Sequence, residues 1–345
     1  MSVIPQDILD TEYLGQEKEV NKIEPLVSVV TTTYNQEKYI GECLDSILMQ
    51  KTNFPVELII GEDGSSDLTR EICMEYADRN PDKIRLFLRT PKQKMEVRGR
   101  KTFHYNFFNS IKNSRGRYCA ICEGDDFWTD VNKLQYQVDF LERNEQFSLH
   151  YHQCEVVNEG MTNKRSYQSV QEPKSFRLEH TLHKKQGITL SIMFRKHEVD
   201  FDEFESLIRV CDVGDWPLEL SLLHHGRMGY LDPRQMGTYR RNPGGVTVSE
   251  KTNRIRFLES RLDVMSRLKE ISSEKEKEMI DRILGLIELE LLLNRPRSIG
   301  KTLQGVSQLG RYYLSGNSDL KRSDLHFTAR KIVNRMAHRL KRKYT

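Results

Sequence analysis

From Val27 to about Val157 the chain alternates short apolar runs with helix-like segments, and that alternation limits what it can fold into. Val27-Ser28-Val29-Val30-Thr31-Thr32, Val56-Glu57-Leu58-Ile59-Ile60 and Ile84-Arg85-Leu86-Phe87-Leu88 read as buried strands, as does Arg117-Tyr118-Cys119-Ala120-Ile121-Cys122. Helical patterns follow at Glu37–Gln50, Asp67–Asp78, Thr102–Asn113 and Asn132–Arg143. Apolar strands separated by helices imply an α/β fold, a Rossmann-like, mostly parallel sheet covered on both faces. In such sheets ligands bind beyond the carboxyl ends of the strands. The loops Thr33-Tyr34-Asn35, Glu62-Asp63-Gly64-Ser65, Arg89–Lys101 and Glu123–Trp128 all follow strands and should gather on one edge.

Beyond this block the pattern is mixed. Strands are expected at Phe147–Val157, Gly187–Arg195, Met228–Leu231 and Met236–Arg240. Cys211-Asp212-Val213-Gly214-Asp215-Trp216-Pro217 reads as a turn opening a helix, with Pro217 near the first helical position. After Glu250 the chain turns helical at Arg254–Leu268 and Ser273–Asn294, with weaker pieces around Ile299–Tyr313. The expected organisation is a loosely held arm (1–24), one α/β domain (25–250) and a helical extension (251–345) ending in a basic amphipathic tail.

No run approaches the eighteen apolar residues of a membrane span, and the N-terminus lacks the pattern of a signal peptide. A cytoplasmic protein is expected. Six cysteines fit small buried hydrophobes; Cys119 and Cys122 have zinc-like spacing, but within a strand that separation points them to opposite faces. The net charge of +4 is uneven: residues 321–345 carry nine Lys/Arg against Asp324, so the remaining 320 residues sum to −4. Basicity is confined to a tail, which argues against a nucleic-acid-binding body. Its apolar residues recur at helical spacing, so it either lies on an anionic membrane surface or packs on the body.

The chemistry is concentrated in Glu123-Gly124-Asp125-Asp126, which ends an apolar strand. Paired carboxylates there make a hard, oxygen-rich site suited to Mg²⁺ or Mn²⁺ shared with phosphate oxygens. Asp63 follows a second strand in an Asp-Gly turn; it serves the turn or accepts a hydrogen bond from a ligand. His150 and His152 share a strand face and read as structural. Trp128 and Trp216 flank acidic positions and either pack in the core or stack on a ring. His224-His225 has no assigned role.

The series Val27–Asn35, Cys43–Gln50, Glu57–Ser65 and Glu123–Asp126 resembles family 2 glycosyltransferases over about Pro25–Gly245. The resemblance implies a GT-A fold and an inverting enzyme that uses a nucleotide-sugar donor. It implies that Thr32 and Tyr34 contact the nucleotide, with Tyr34 stacked on the base, and that Asp63 accepts a hydrogen bond from a uracil-type edge. By the same resemblance Arg98 faces the diphosphate, Asp125 lies near the donor ribose and Asp126 holds the metal. Asp215 matches the catalytic base, with Asp212 as a rival and helix capping as the structural alternative for either. In Tyr239-Arg240-Arg241-Asn242, Asn242 stands where the family often has a histidine near metal or diphosphate.

The expected reaction moves a sugar, most simply from a UDP-sugar, to a hydroxyl of a saccharide or lipid-linked saccharide, with Mn²⁺ or Mg²⁺ at the diphosphate. Two alternatives stay open. A sugar nucleotidyltransferase would want a glycine-rich phosphate loop after the first strand, which Thr33-Tyr34-Asn35-Gln36 is not. A silent nucleotide- or membrane-binding scaffold would not need Asp63, Asp126 and Asp215 together.

Overall fold

The structure, a computed structural model, describes residues 11–15, 23–158, 165–166, 170–242 and 254–294. The chain divides into two compact units, 1–248 and 249–345. The weak helical pieces expected at 299–313 and the basic tail 321–345 lie outside the described residues.

The first unit is built on strands β1 (Thr11–Tyr13), β2 (Val27–Thr33), β3 (Val56–Glu62), β4 (Ile84–Leu88), β5 (Met95–Val97), β6 (Arg100–Thr102), β7 (Tyr118–Ile121), β8 (Phe127–Trp128), β9 (Phe147–Asn158), β10 (Arg165–Ser166), β11 (Lys174–Phe176), β12 (Met193–Arg195) and β13 (Met228–Arg241). Its helices are α1 (Ile40–Leu48), α2 (Thr69–Arg79), α3 (His104–Lys112), α4 (Lys133–Arg143), α5 (Leu178–His183), α6 (Phe201–Ile208) and α7 (Asp215–Leu223). The main sheet runs β1-β4-β3-β2-β7-β12-β9-β13-β11. Strands β4, β3, β2 and β7 are parallel, and β12 enters antiparallel between β7 and β9.

All seven residues of β2 are buried, because the parallel strands are covered on both faces. Val29, Ile60, Leu86 and Ala120 share one apolar cluster with Ile40, Leu44 and Cys73 of α1 and α2. Across the sheet, Phe107 and Phe108 of α3 meet Phe204 of α6 edge-on or tilted. Each fully buried Leu, Ile or Phe contributes about 1.5–3 kcal/mol relative to exposure. At the strand starts, buried Glu57 accepts hydrogen bonds from Ser28 and Arg115, tying β2, β3 and the entry to β7 together. The opposite ends of the same strands are thereby left to carry the site.

Three expectations change. Part of the N-terminal arm is held: Thr11–Tyr13 adds an antiparallel edge strand to β4, and Glu12 pairs with Arg85. The strand expected over Gly187–Arg195 shortens to β12, because Thr189–Ser191 turns as a 3₁₀ segment. That turn lets the Leu190 carbonyl accept from the Trp128 indole. The two strands expected between 228 and 240 are one, β13, with register shifts across Asp232–Gly237, where Pro233 lacks an N–H for the ladder.

The second unit contains α8 (Arg254–Ile271) and α9 (Glu274–Asn294). Val264, Met265 and Leu268 of α8 and Ile280 and Ile283 of α9 are buried, and Arg254 forks onto Glu290 at 2.7–3.0 Å.

Candidate active site

The carboxyl ends of β2, β3 and β7 meet because their loops are laced by backbone hydrogen bonds. Gly124 N donates to Thr32 O at 3.0 Å, and Asp63 N to Thr33 O at 3.0 Å. Gly124 has no room for a side chain: a Cβ would lie 2.8 Å from Thr33 Cβ and 2.5 Å from Gln36 Oε1. The glycine inside Glu123-Gly124-Asp125-Asp126 is thus what lets the acidic turn press against β2. Asn35, at φ 51°, accepts from Ser66 N at 2.8 Å and joins the first two loops.

Three acids crowd the end of β7. Asp126 is fully buried; Oδ1 accepts from Arg240 N at 2.8 Å, whereas Oδ2 is buried with no hydrogen-bond partner. Burial, then the charges of Asp125 and Glu123, push its carboxyl well above the usual carboxylate range. Burial together with Asp215 and Asp125 pushes Glu123 up to about 8. Asp125 is raised by burial and tempered by Asn242, whose Nδ2 donates to Asp125 Oδ2 at 2.7 Å. Asn242 therefore supports an acid directly, at the place where the sequence lacks the expected histidine. Arg240 binds the Asp125 carbonyl at 2.8 Å and Glu42 at 2.5 Å.

An orphaned buried carboxylate oxygen among three acids with raised pKa fits a divalent cation. A cation supplies the charge that burial denies them, and oxygen donors suit Mg²⁺ or Mn²⁺. Asp126 is the residue best placed to hold it.

Asp215 is the first residue of α7 and lies within electrostatic reach of Glu123. Its Oδ2 accepts from Thr189 Oγ1 at 2.6 Å and pairs with the Lys185 ammonium. Burial works against ionisation, but Lys185 and Thr189 prevail and hold the carboxyl below its usual value. One turn later, buried Glu219 binds Thr181 and Tyr151 and is pushed up to about 7 by burial. His104, at the start of α3, faces Asp215 and Asp212, and burial lowers it to about 4.

The other predicted residues divide. Thr32, nearly buried, sits at the end of β2 beside Gly124. Tyr34 is 46% exposed, with Lys94 Nζ 3.9 Å above its ring centre. Lys94 also pairs with Asp63 at 3.3 Å, and burial, opposed by Lys94, brings Asp63 to about 6. Tyr34, Lys94 and Asp63 thus form a second cluster. Arg98 is placed differently: with Gly99 it makes the tight turn of the β5–β6 hairpin, at φ 52° and 74°. The arginine of this region that reaches Asp63 electrostatically is Arg89, buried at the end of β4 and 5.0 Å from the Phe87 ring centre.

Sequence reasoning did not assign Lys185, Thr189, Lys94 or Glu219. Lys185 and Thr189 lie in a polar-to-apolar transition with no motif, so only the fold could reveal them. Trp128 and Trp216 are both buried, with indole N–H groups bound to Leu190 O and Thr181 O, which is the packing role.

Comparison with known proteins supplies the family. The model of the family "Glycosyl transferase family 2" matches residues 28–194. An uncharacterized protein of Mycobacterium tuberculosis is 32% identical over 281 residues, covering 80% of this chain and 75% of its own length. The UDP-Glc:alpha-D-GlcNAc-diphosphoundecaprenol beta-1,3-glucosyltransferase WfgD of Escherichia coli is 31% identical over 133 residues, 39% of this chain and 47% of that protein. Residues 1–349 of S. aureus TarS, solved in complex with UDP-GlcNAc, share the fold at TM-score 0.55 and 16% identity, over 83% of this chain and 80% of that one. With a mostly parallel sheet, acids gathered at its strand ends and these relatives, the chain belongs to glycosyl transferase family 2: it is a glycosyltransferase of GT-A fold.

Proposed function

We propose that this enzyme transfers a sugar, with inversion, from a nucleoside-diphosphate donor of the UDP-sugar type to a hydroxyl of a saccharide or lipid-linked saccharide. The observation that carries this reading is the buried Oδ2 of Asp126, without a hydrogen-bond partner, beside Asp125 and Glu123, the last of which lies within electrostatic reach of Asp215. Carboxylates are driven apart here into one group that needs a cation and one that stays ionised without it.

Asp126 would hold Mn²⁺ or Mg²⁺, which when bound offsets the charge that develops on the departing diphosphate. Asp215 accepts the proton of the acceptor hydroxyl. The acceptor oxygen forms its bond to the anomeric carbon as the bond from that carbon to the diphosphate oxygen breaks on the opposite face, which inverts the centre. Lys185 and Thr189 position Asp215 and keep it ionised. Asp125, supported by Asn242, lies on the ribose side, while Thr32, Tyr34 and Asp63 receive the nucleoside. By the family resemblance Arg98 faces the diphosphate, while Arg89 and Lys94 are the basic side chains that act on Asp63.

The acceptor assignment rests on WfgD, whose name specifies a diphosphoundecaprenol-linked sugar. Attachment of residues 321–345 to an anionic membrane would bring the site to such an acceptor; equal liposome binding with and without this segment would exclude it. The donor is tested by thermal shift with a panel of nucleotide sugars and Mn²⁺, since a ligand of the native state raises the melting temperature by mass action. A UDP-sugar should give the largest shift and slow hydrolysis. No response to any nucleotide sugar would overturn the assignment.

A further inference from the structure

A second cluster of metal-ligand residues lies at the far end of α7 from Asp215. Nine helical residues separate the two ends, about 13 Å along the axis. There Glu203, in the first turn of α6, meets His224 and His225, which follow the last turn of α7.

We propose that Glu203, His224 and His225 bind one borderline-soft divalent cation, of which Zn²⁺ is the best match. Each residue offers a donor atom, and the three donors lie within 4.8 Å of one another. Glu203 Oε2 is 2.8 Å from His224 Nδ1 and 3.6 Å from His225 Nε2. The second separation is too long for a hydrogen bond. It is close to the spacing of about 3.4 Å between neighbouring ligands of a tetrahedral ion with bonds of about 2.0–2.1 Å.

Independently, the other carboxylate oxygen, Glu203 Oε1, is buried and has no hydrogen-bond partner, on a side chain only 5% exposed. A simple buried Glu–His pair leaves that oxygen unexplained, whereas a metal can use it. His225 is 68% exposed and can rotate onto the ion without disturbing the core. Two imidazoles and one carboxylate select zinc-like ions over Mg²⁺ or Ca²⁺.

The surroundings leave a fourth position open. His224 and His225 line a cavity of about 550 Å³ with Arg177, Glu198, Asp200 and Arg227, wide enough for a coordinated water. The turn is held from outside by Arg177, which donates to Gly226 O at 3.1 Å. Asp200 caps α6 by accepting from Asp202 N and Glu203 N at 3.0 Å, which fixes the direction in which Glu203 leaves the helix. A bound ion would clamp the end of α7 to the start of α6, and α7 begins with Asp215. The site is therefore a structural clamp on the helix that carries the proposed base.

The test uses the full chain stripped of metal with a chelator and titrated with Co²⁺. A four-coordinate nitrogen–oxygen site gives intense visible d–d bands, whereas an octahedral oxygen site such as Asp126 would provide gives weak ones. Wild type should develop the intense bands at one equivalent and lose them on adding Zn²⁺. His225→Gly suits the left-handed φ of 61° at this position, so it should fold normally while abolishing the bands and weakening Zn²⁺ binding at least tenfold. Glu203→Gln should do the same. Absence of intense bands from wild type, or their persistence in His225→Gly, would overturn the proposal.

Discussion

Asp126 and Asp215 carry the same side chain in opposite surroundings. Asp126 is fully buried beside Asp125 and Glu123, so its carboxyl is driven far up. Asp215 is also removed from water, yet the Lys185 ammonium and the Thr189 hydroxyl hold it down. Burial alone predicts the same fate for both. The neighbour decides, and it separates an acid left with an unpartnered oxygen from one paired with an ammonium. A transferase that must neutralise a leaving group on one side and remove a proton on the other needs that division.

The comparison breaks most severely if the cation side is removed. Asp126→Asn keeps an oxygen for Arg240 N but loses the charge, and transfer should fall roughly a thousandfold, the rate equivalent of about 4 kcal/mol. Circular dichroism should show an intact fold, and near-normal turnover in a donor-hydrolysis assay would sink the assignment.

Asp215→Asn should lose about a hundred- to ten-thousandfold in turnover, the range of a general base. It should still bind UDP by calorimetry, because the loss falls on the acceptor side. Equal damage to nucleotide binding would move Asp215 from base to donor ligand.

Lys185→Met sharpens the contrast. Without the ammonium the Asp215 pKa rises, so the acid limb of the pH–turnover profile should move to higher pH, with activity lost on the acid side and retained above neutrality. An unmoved limb would mean that Lys185 does not tune the base.

The metal side has its own pH signature. Glu123 is raised to about 8 from an ordinary value of 4.5, so the native state holds a proton that the unfolded chain has released. Its contribution to stability without metal therefore declines as pH rises from the ordinary carboxylate range toward about 8. A cation must displace that proton, so the Mn²⁺-induced rise in melting temperature should be larger at about pH 9 than at about pH 6. A shift independent of pH would place the cation away from Glu123.

The smallest effect belongs to Asn242→Ala. It removes one hydrogen bond to Asp125, worth roughly 1 kcal/mol, and should raise the donor KM about fivefold with little change in kcat.

Much of this was legible in the chain. The strands at Val27, Val56 and Ile84 are continuous apolar runs, and a parallel sheet buries both faces, so local composition and final burial coincide. Glu123-Gly124-Asp125-Asp126 stood out because paired acids at the end of an apolar strand make a hard, oxygen-rich site. Lys185 and Thr189 were not legible, since no local pattern marks a residue whose partner lies about thirty positions away. Met228–Leu231 and Met236–Arg240 were expected as two strands, but parallel pairing with β9 carries one strand through Pro233.

The sequence by itself determined the α/β architecture and the strand-end loops that carry the candidate acids, because periodicity and residue chemistry are local properties. The charge state of each acid was decided only by tertiary structure. Ionisation of a buried acid depends on which counter-charge the fold delivers, and among the described residues the fold pairs Lys185 with Asp215 while Asp126 Oδ2 has no hydrogen-bond partner.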